Sequence, residues 1–160
     1  MEVLNTGASP VDLTGISLVF VNGATNVPYL TVALDPAGML AAGQYVVVKS
    51  TTVSVPFGVP TISFALASGN IQNGPPDGIA LVDTVGNTLI DALSYAGSIT
   101  AAAIPGLGTV SLVEGTALAS TDSNVVNGAL CRLPNGSDTG DAATDWTFCT
   151  TASPGSGNIP

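Results

Sequence analysis

The stretch DGIALVDTVGNTLIDALSY, residues 77–95, sets the fold class of this chain. Two runs rich in Val, Ile, Leu and Ala, at 79–82 and 89–95, flank the turn residues Gly86 and Asn87. Glycine and asparagine tolerate the positive φ that tight hairpin turns require, and both runs are bounded by turn-forming residues. The stretch therefore predicts a β-hairpin.

The same pattern of short apolar runs between turn signals extends outward from this hairpin. Further strands are predicted at 3–5, 16–21, 29–34, 45–49, 62–66, 110–113, 130–133 and 146–149. No window of eleven residues keeps an amphipathic helical period with capping signals; SITAAAIPG (98–106) comes nearest, and Pro105 limits it. About nine to ten antiparallel strands predict an all-β chain, and their spacing favours a two-sheet sandwich over a barrel.

Length and composition indicate one folded, exported domain. The 160 residues fit a single domain spanning 1–160, and 46% hydrophobic residues argue against disorder. The apolar run ISLVFV (16–21) is too short for a membrane span. Two cysteines and no histidine suit an oxidising exterior, so an extracellular or cell-surface location is expected. Met1 directly precedes a strand, which we interpret as a piece, without its signal peptide, of a longer exported protein.

The charge balance argues against nucleic acid as a partner. The net charge is -9, and Lys49 and Arg132 are the only cationic side chains. Binding to DNA requires lysine and arginine to neutralise phosphates, so no DNA binding by this domain alone is expected at physiological salt.

The closing stretch CRLPNGSDTGDAATDWTFC, residues 131–149, raises the question of a metal site. Asp138, Asp141 and Asp145 are its weak candidate ligands. Their spacings of three and four, without flanking helices or a terminal glutamate, do not match the calcium loop of an EF-hand. A solvated turn whose aspartates accept hydrogen bonds from backbone amides is favoured, and a non-standard oxygen-ligand site is the open alternative. No cofactor is expected.

The two cysteines of the same stretch predict a disulfide across the closing hairpin. Pairing LCRL with WTFC so that Cys131 lies opposite Cys149 places Arg132 opposite Phe148 and Leu133 opposite Thr147. Arg132 then shares a side with Trp146 and Phe148, where it is expected to tie the loop through Asp138 and Asp145. The alternative is a pair of reduced, buried thiols.

The residues offer little for catalysis, and no enzymatic activity is expected. Without histidine, a serine or cysteine nucleophile lacks its usual base, and Lys49 lies in an apolar strand. A glycosidase needs only two carboxylates, and four remain open candidates: Asp77, Asp83, Asp91 and Glu114. The aromatic residues that a sugar platform would use are few and are expected to serve the core.

Separated segments of the chain, in order, resemble one protein family. EVLNTGASPVDLTGISL (2–18), LAAGQYVVV (40–48), residues 77–95, CRLPNGSDTGDAATDWTF (131–148) and TASPGSGN (151–158) are similar to the lamin tail domain family, in its bacterial secreted or surface type. The resemblance implies an immunoglobulin-like sandwich, and because such sandwiches run to about 100 residues, insertions are expected at 50–63 and 96–128. It also implies a structural role for a closing signature: Arg132, Pro134, Gly136, Asp138, Asp145, Trp146, Pro154, Gly155 and Asn158.

The function expected from these observations is that of a non-catalytic structural or interaction module in a secreted or surface protein. Its work would be adhesion, targeting or contact with a protein or cell-surface component. The alternative is a carbohydrate-binding or calcium-assisted adhesion module. Kinship of fold does not fix function, so the choice depends on the site.

Overall fold

The computed structural model describes residues 1–122 and 125–160. This part of the chain contains thirteen β-strands, a 3₁₀ turn at Asp35–Ala37 and one short helix. The strands are β1 (Glu2–Leu4), β2 (Val11–Asp12), β3 (Ile16–Asn22), β4 (Val27–Ala33), β5 (Met39–Leu40), β6 (Tyr45–Lys49), β7 (Thr61–Ser63), β8 (Asp77–Asp83), β9 (Thr88–Tyr95), β10 (Ala102–Ile104), β11 (Gly108–Val110), β12 (Ala129–Arg132) and β13 (Trp146–Cys149), and the helix is α1 (Ala142–Asp145). Within this part of the chain no helix has the length and hydropathy needed to cross a membrane.

The predicted all-β sandwich is confirmed. A four-stranded antiparallel sheet in the order β4-β3-β8-β9 faces a three-stranded sheet in the order β1-β6-β7, and β12 and β13 form a closing hairpin. The expectation of antiparallel pairing throughout is wrong at one place, because β6 and β7 run parallel. The segment between them, residues 50–60, returns the chain to the same end of the sheet, as a parallel pair requires.

The hairpin predicted from residues 77–95 is confirmed as β8 and β9. Its turn is stabilised by Asp83, whose Oδ1 accepts hydrogen bonds from the amides of Val85 and Gly86, each 2.8 Å away. Asn87 then adopts a φ of 51°, the left-handed conformation for which asparagine is suited. The turn predicted from the sequence thus has the backbone conformation and hydrogen bonds expected of it.

The four-stranded sheet is buried on both faces. Leu18 and Phe20 of β3 point inward to a core that includes Val46 and Val48 of β6. The alternate residues of β3 point outward to a second buried cluster. That cluster consists of Val19, Val21, Ala80, Val82, Ala92, Ile99, Ala102, Ile104 and Leu112. The continuous apolar run of β3 follows from this double burial, because a strand covered on both faces does not alternate.

Residues 99–112, within the expected insertion 96–128, supply the cover of the outer face. Residues 123 and 124 of that insertion lie outside the described residues. The strand predicted at 110–113 is wrong: β11 ends at Val110 and pairs with β10. The alanine-rich segment with the weak helical pattern is β10, because Ala102 and Ile104 alternate into the outer cluster.

The expected count of nine to ten strands was too low because three short strands gave no pattern. They are β2 and β5, which are two residues each and pair only with one another, and β10. The helix α1 was also missed. Its first turn is capped by Asp141, whose side chain accepts a hydrogen bond from the amide of Thr144.

Candidate functional site

The closing hairpin carries the predicted disulfide, which joins Cys131 to Cys149. The predicted register is wrong by two residues: Cys131 lies opposite Thr147, and Arg132 opposite Trp146. A two-residue shift keeps every side chain on its face, so the disulfide joins a diagonal pair with Cα atoms 6.0 Å apart. The amide of Leu133 donates to the carbonyl of Asp145, where α1 ends, and this contact sets the register.

Arg132 is the centre of a cluster of charges that we call the Arg132 clasp. Its Nη2 lies 2.7 Å from Asp91 Oδ1 and 3.4 Å from Glu114 Oε2, and its Nη1 lies 3.0 Å from Asp138 Oδ1. Nη1 also donates to the carbonyl oxygen of Ser137 at 2.8 Å. The guanidinium is nearly buried and stacks on Trp146, with Cζ 5.1 Å from the ring centroid. One side chain thus joins β9, the segment after β11 and the closing hairpin.

The expected contact of Arg132 with Asp138 forms, whereas Asp145 has other hydrogen-bond donors. The buried Asp145 accepts from the amide of Thr139 at 2.7 Å, from its hydroxyl at 3.1 Å and from the hydroxyl of Ser137 at 3.0 Å.

Sequence reasoning missed the role of Asp91 and Glu114 as arginine partners. They lie 41 and 18 residues before Arg132, and no local pattern links positions so far apart.

The four candidate carboxylates of a glycosidase do not converge. Asp77 and Asp83 lie at opposite ends of β8, and Asp83 is used in the hairpin turn. Asp91 and Glu114 do come together, but on either side of Arg132. Lys49 is used elsewhere, since its Nζ donates to the carbonyl of Val53 at 2.9 Å. Of the four candidates, Asp91 and Glu114 are therefore the two carboxylates that lie close enough to interact.

Two carboxyl groups of the Arg132 clasp, Glu114 and Asp91, have pKa values above those of isolated carboxylates. Burial, together with the charge of Asp91, raises the pKa of Glu114 to about 7, although Arg132 acts in the opposite direction. Burial also raises the pKa of Asp91, against the opposing effect of Arg132. A hydrogen bond between the two carboxyl groups favours the ionised form of Asp91. Near neutral pH the pair therefore shares a proton.

We expect the protein to be more stable at pH 5 than at pH 8 by about 1 kcal/mol, a value reduced for solvent screening because Glu114 is only partly buried. The folded-state pKa of Glu114 is about 7, above its ordinary 4.5, so the folded chain binds more protons between these values. Stability from this group is present below pH 4.5 and is lost as the pH rises through 7. Urea unfolding at pH 5, 6, 7 and 8 measures the effect.

The variant Glu114→Gln should reduce this pH dependence, because it removes the group with the largest raised pKa of the clasp. The residual dependence combines opposing contributions, since burial raises the pKa of Asp91 and of Asp77 but lowers the pKa of the Met1 amine. Asp35→Asn, a change at an exposed carboxylate outside the clasp, is the matched control. Stability that rises steadily from pH 5 to pH 8 would contradict the expected effect.

The weak metal candidates each bind groups of their own chain. Asp138 contacts Arg132, and Asp145 binds Ser137 and Thr139. Asp141 accepts from the amides of Thr144 and Thr116, and the Thr116 amide holds the pKa of Asp141 below its usual range. Across residues 1–122 and 125–160, no three acidic or cysteine side chains are grouped so as to hold a metal ion.

We expect millimolar calcium to leave the melting temperature unchanged. Three aspartates that accept hydrogen bonds from their own chain would have to give up those bonds to ligate an ion. A true site, at a hundredfold excess of calcium over its dissociation constant, would add about 2.7 kcal/mol by mass action. A rise in melting temperature that a chelator reverses and that Asp141→Asn abolishes would refute this expectation.

Other residues of the closing signature join the C-terminal segment to β1 and to the closing hairpin. The Gly155 amide donates to Glu2 Oε2 at 2.7 Å, and Asn158 Nδ2 donates to the carbonyl of Arg132 at 3.0 Å. Pro134 follows a cis peptide bond. Gly136 has a φ of 72°, and a Cβ there would lie 3.1 Å from side-chain atoms of Leu4 and Thr6.

Between the two sheets lies a cavity of about 670 Å³, which we call the interior cleft. Its walls include Leu81 and Leu93 from one sheet and Val48 from the other, and Arg132 and Pro154 border it. The volume lies within the range of small-molecule sites. Two of its aromatic side chains are engaged: Tyr45 accepts a hydrogen bond from Asn135, and the Trp146 ring is covered by Arg132.

Comparison of the chain with protein-family models, with curated proteins and with solved structures finds no match. The interpretation of the Arg132 clasp and of the interior cleft therefore rests on their geometry alone.

Proposed function

We propose that this chain is a lamin-tail-like, non-catalytic interaction module of a secreted or surface protein. The observation that carries the proposal is that Arg132 is fully engaged by acceptors of its own chain. Both terminal nitrogens of the only arginine bind acceptors of the same chain, namely Asp91, Glu114, Asp138 and Ser137. A group that is fully engaged in fastening three segments has little capacity left to hold a substrate.

The raised pKa of Glu114 does not by itself argue for acid catalysis. Structural ion-pair networks perturb pKa values as active sites do. A general acid must reach the atom that it protonates. Here Glu114 and Asp91 both contact the guanidinium and are hydrogen-bonded to each other, so both carboxyl groups already have partners within the chain. The geometry thus favours a fastening over an acid–base pair.

A role outside the cell is supported by the chemistry of the chain. Disulfides persist in oxidising compartments and are rare in the cytosol. The disulfide between Cys131 and Cys149 is compatible with such a compartment. The domain's work there would be adhesion, targeting or protein contact, and a net charge of -9 again disfavours nucleic acid as the partner.

The test measures binding of the purified domain to cell envelopes and to a glycan array, and its turnover of model substrates. We expect saturable binding to bacterial cell envelopes that protease treatment of the envelopes removes, and no binding to a glycan array with or without calcium. Calcium-dependent or calcium-independent glycan binding would instead support the carbohydrate-binding or adhesion alternative. Turnover of aryl glycosides or esters that is lost in Glu114→Gln would refute the non-catalytic assignment.

A further inference from the structure

The interior cleft is an unfilled part of the hydrophobic core. Leu18, Ile79 and Leu93 from the four-stranded sheet and Val48 from the facing sheet belong to the core cluster and also line the cleft. Six apolar side chains that are only partly buried against this cluster line it as well: Met1, Val3, Phe64, Leu81, Leu130 and Trp146. Apolar surface that the core leaves uncovered thus borders the cleft.

The size of this space distinguishes it from the small voids of ordinary cores. Native interiors hold few voids larger than one water molecule, whose share of liquid volume is about 30 Å³. The cleft measures about 670 Å³, which is room for about twenty groups of that size. Water is held in such a space only where about two to four polar partners are in reach, and the aliphatic side chains of these walls offer none. An apolar ligand that replaces this water would therefore bind favourably.

The charged side chains that line the cleft restrict which head group the ligand can carry. Among the described residues four of them are acidic and two are cationic: Glu2, Asp91, Asp122, Asp138, Lys49 and Arg132. Both cations bind oxygens of their own chain, because Lys49 Nζ donates to the carbonyl of Val53 and Arg132 is held in the clasp. Neither cation is therefore free to bind a carboxylate or phosphate of a ligand.

Two of the acidic side chains, in contrast, are open to solvent beside the apolar wall. The side chain of Asp138 is 56% exposed, and that of Asp91 is 36% exposed. Asp91 lies opposite Leu81 in the sheet, so both side chains share the face that bounds the cleft. The net charge of -9 adds a field that attracts cations. The mouth of the cleft thus complements a positive charge.

We propose that the interior cleft binds an amphiphilic cation, a molecule with a linear apolar chain and an amine head group. The chain packs between the two sheets against Leu81, Leu93 and Val48. The ammonium group lies at the mouth, beside Asp91 and Asp138. For decylamine we expect a dissociation constant on the order of 10–100 µM. This small-molecule site is additional to the proposed role in adhesion or protein contact.

Intrinsic fluorescence measures the binding, because Trp146 is the only tryptophan of the chain and lines the cleft. The probes are hexylamine, octylamine and decylamine at pH 7, each below the concentration at which it forms micelles. We expect the affinity to rise about three- to fourfold for each added methylene group, as burial of the chain requires. Decanoate, which has the same chain length and a negative head group, should bind at least tenfold more weakly than decylamine.

One pair of variants tests the apolar wall. Leu81→Gln places an amide in the wall and should weaken decylamine binding at least fivefold. Leu66→Gln is the matched control, since Leu66 is 61% exposed and lies outside the cleft, and it should leave binding unchanged. Circular dichroism checks that each variant is folded. If Leu81→Gln does not fold, the series of amines on the unaltered chain and the head-group variant below still decide the outcome.

A further variant tests the contact with the head group. Asp138→Asn should weaken the binding of decylamine about two- to fivefold and leave the binding of uncharged decanol unchanged, because only the amine interacts with the charge. An equal loss for both ligands would instead show that Asp138 acts only through the shape of the cleft.

Three outcomes would overturn the assignment. These are no saturable change in Trp146 fluorescence with any amine, decanoate binding as tightly as decylamine, and a loss in Leu81→Gln no larger than that in Leu66→Gln. None of them bears on the proposed adhesion role, because binding to cell envelopes is measured without any added amine.

Discussion

Arg132→Met should lower the free energy of unfolding by about 2–4 kcal/mol, because it removes a nearly buried cation from three carboxylates that are themselves partly exposed. The guanidinium side chain is 10% exposed and lies among Asp91, Glu114 and Asp138. Without it, three carboxylates face one another with no cation, and the Trp146 ring loses the group stacked on it. The methionine side chain replaces much of the apolar stem, so the loss reports the charge and not the volume.

Urea unfolding at pH 7 measures this loss, and two further variants identify its cause. Arg132→Lys keeps the charge but cannot reach several carboxylates in fixed directions, so it should recover less than half of the stability. Adding Asp91→Asn and Glu114→Gln to Arg132→Met should recover more, because the unpaired charges are gone. A loss below about 1 kcal/mol for Arg132→Met would show that the clasp is no more than a surface ion pair.

Arg132→Met should also alter the pH dependence of stability. Arg132 opposes the rise in the pKa values of Asp91 and Glu114, so its removal raises both further. The folded variant then binds protons more tightly, and its stability falls more steeply between pH 5 and pH 8. A purely steric role for Arg132 would lower stability equally at every pH.

The fold class followed from the sequence because its signals are local. The hairpin of β8 and β9 depends on two strand-forming runs and on Asn87 between them, all within residues 77–95. By contrast, β2 and β5 are two residues long and form only because the folded chain brings Val11 opposite Leu40. No pattern of apolar residues can show within two residues.

The site was less predictable than the fold because alternation fixes the face of a side chain and not its partner. Because alternate side chains of a strand share a face, the sequence placed Arg132 on the same side of the hairpin as Trp146, and the structure shows the two in contact. This alternation could not separate the predicted register from the observed one, since both keep it. The approach of Asp91 and Glu114 depends on how β9 and the segment after β11 pack against the hairpin, which is a property of the whole sandwich.

Replacing both cysteines, as in Cys131→Ala with Cys149→Ala, should destabilise the chain by about 3 kcal/mol without abolishing the fold. The disulfide closes a loop with a sequence separation of 18, and cross-linking a loop of this length removes conformations mainly from the unfolded chain. The fold survives because the core between the two sheets lies largely outside the closing hairpin and a chain of 160 residues buries enough surface without it.

The hairpin is the element that the loss of the disulfide should affect most. Its two strands have four residues each, and within the described strands they pair only with one another. An isolated two-stranded pair is marginally stable, so the covalent bond also keeps Arg132 in position for Asp91 and Glu114. The cysteine variant should therefore weaken the clasp as well, and its effect should be less than additive with that of Arg132→Met.

Thermal unfolding should show a decrease in melting temperature of about 6–12 °C with reductant or in the double variant. Adding reductant to the variant should cause no further decrease. Thiol titration of the unfolded, non-reduced protein should find no free thiol; two free thiols, or an unchanged melting temperature, would show that the bond does not support the hairpin.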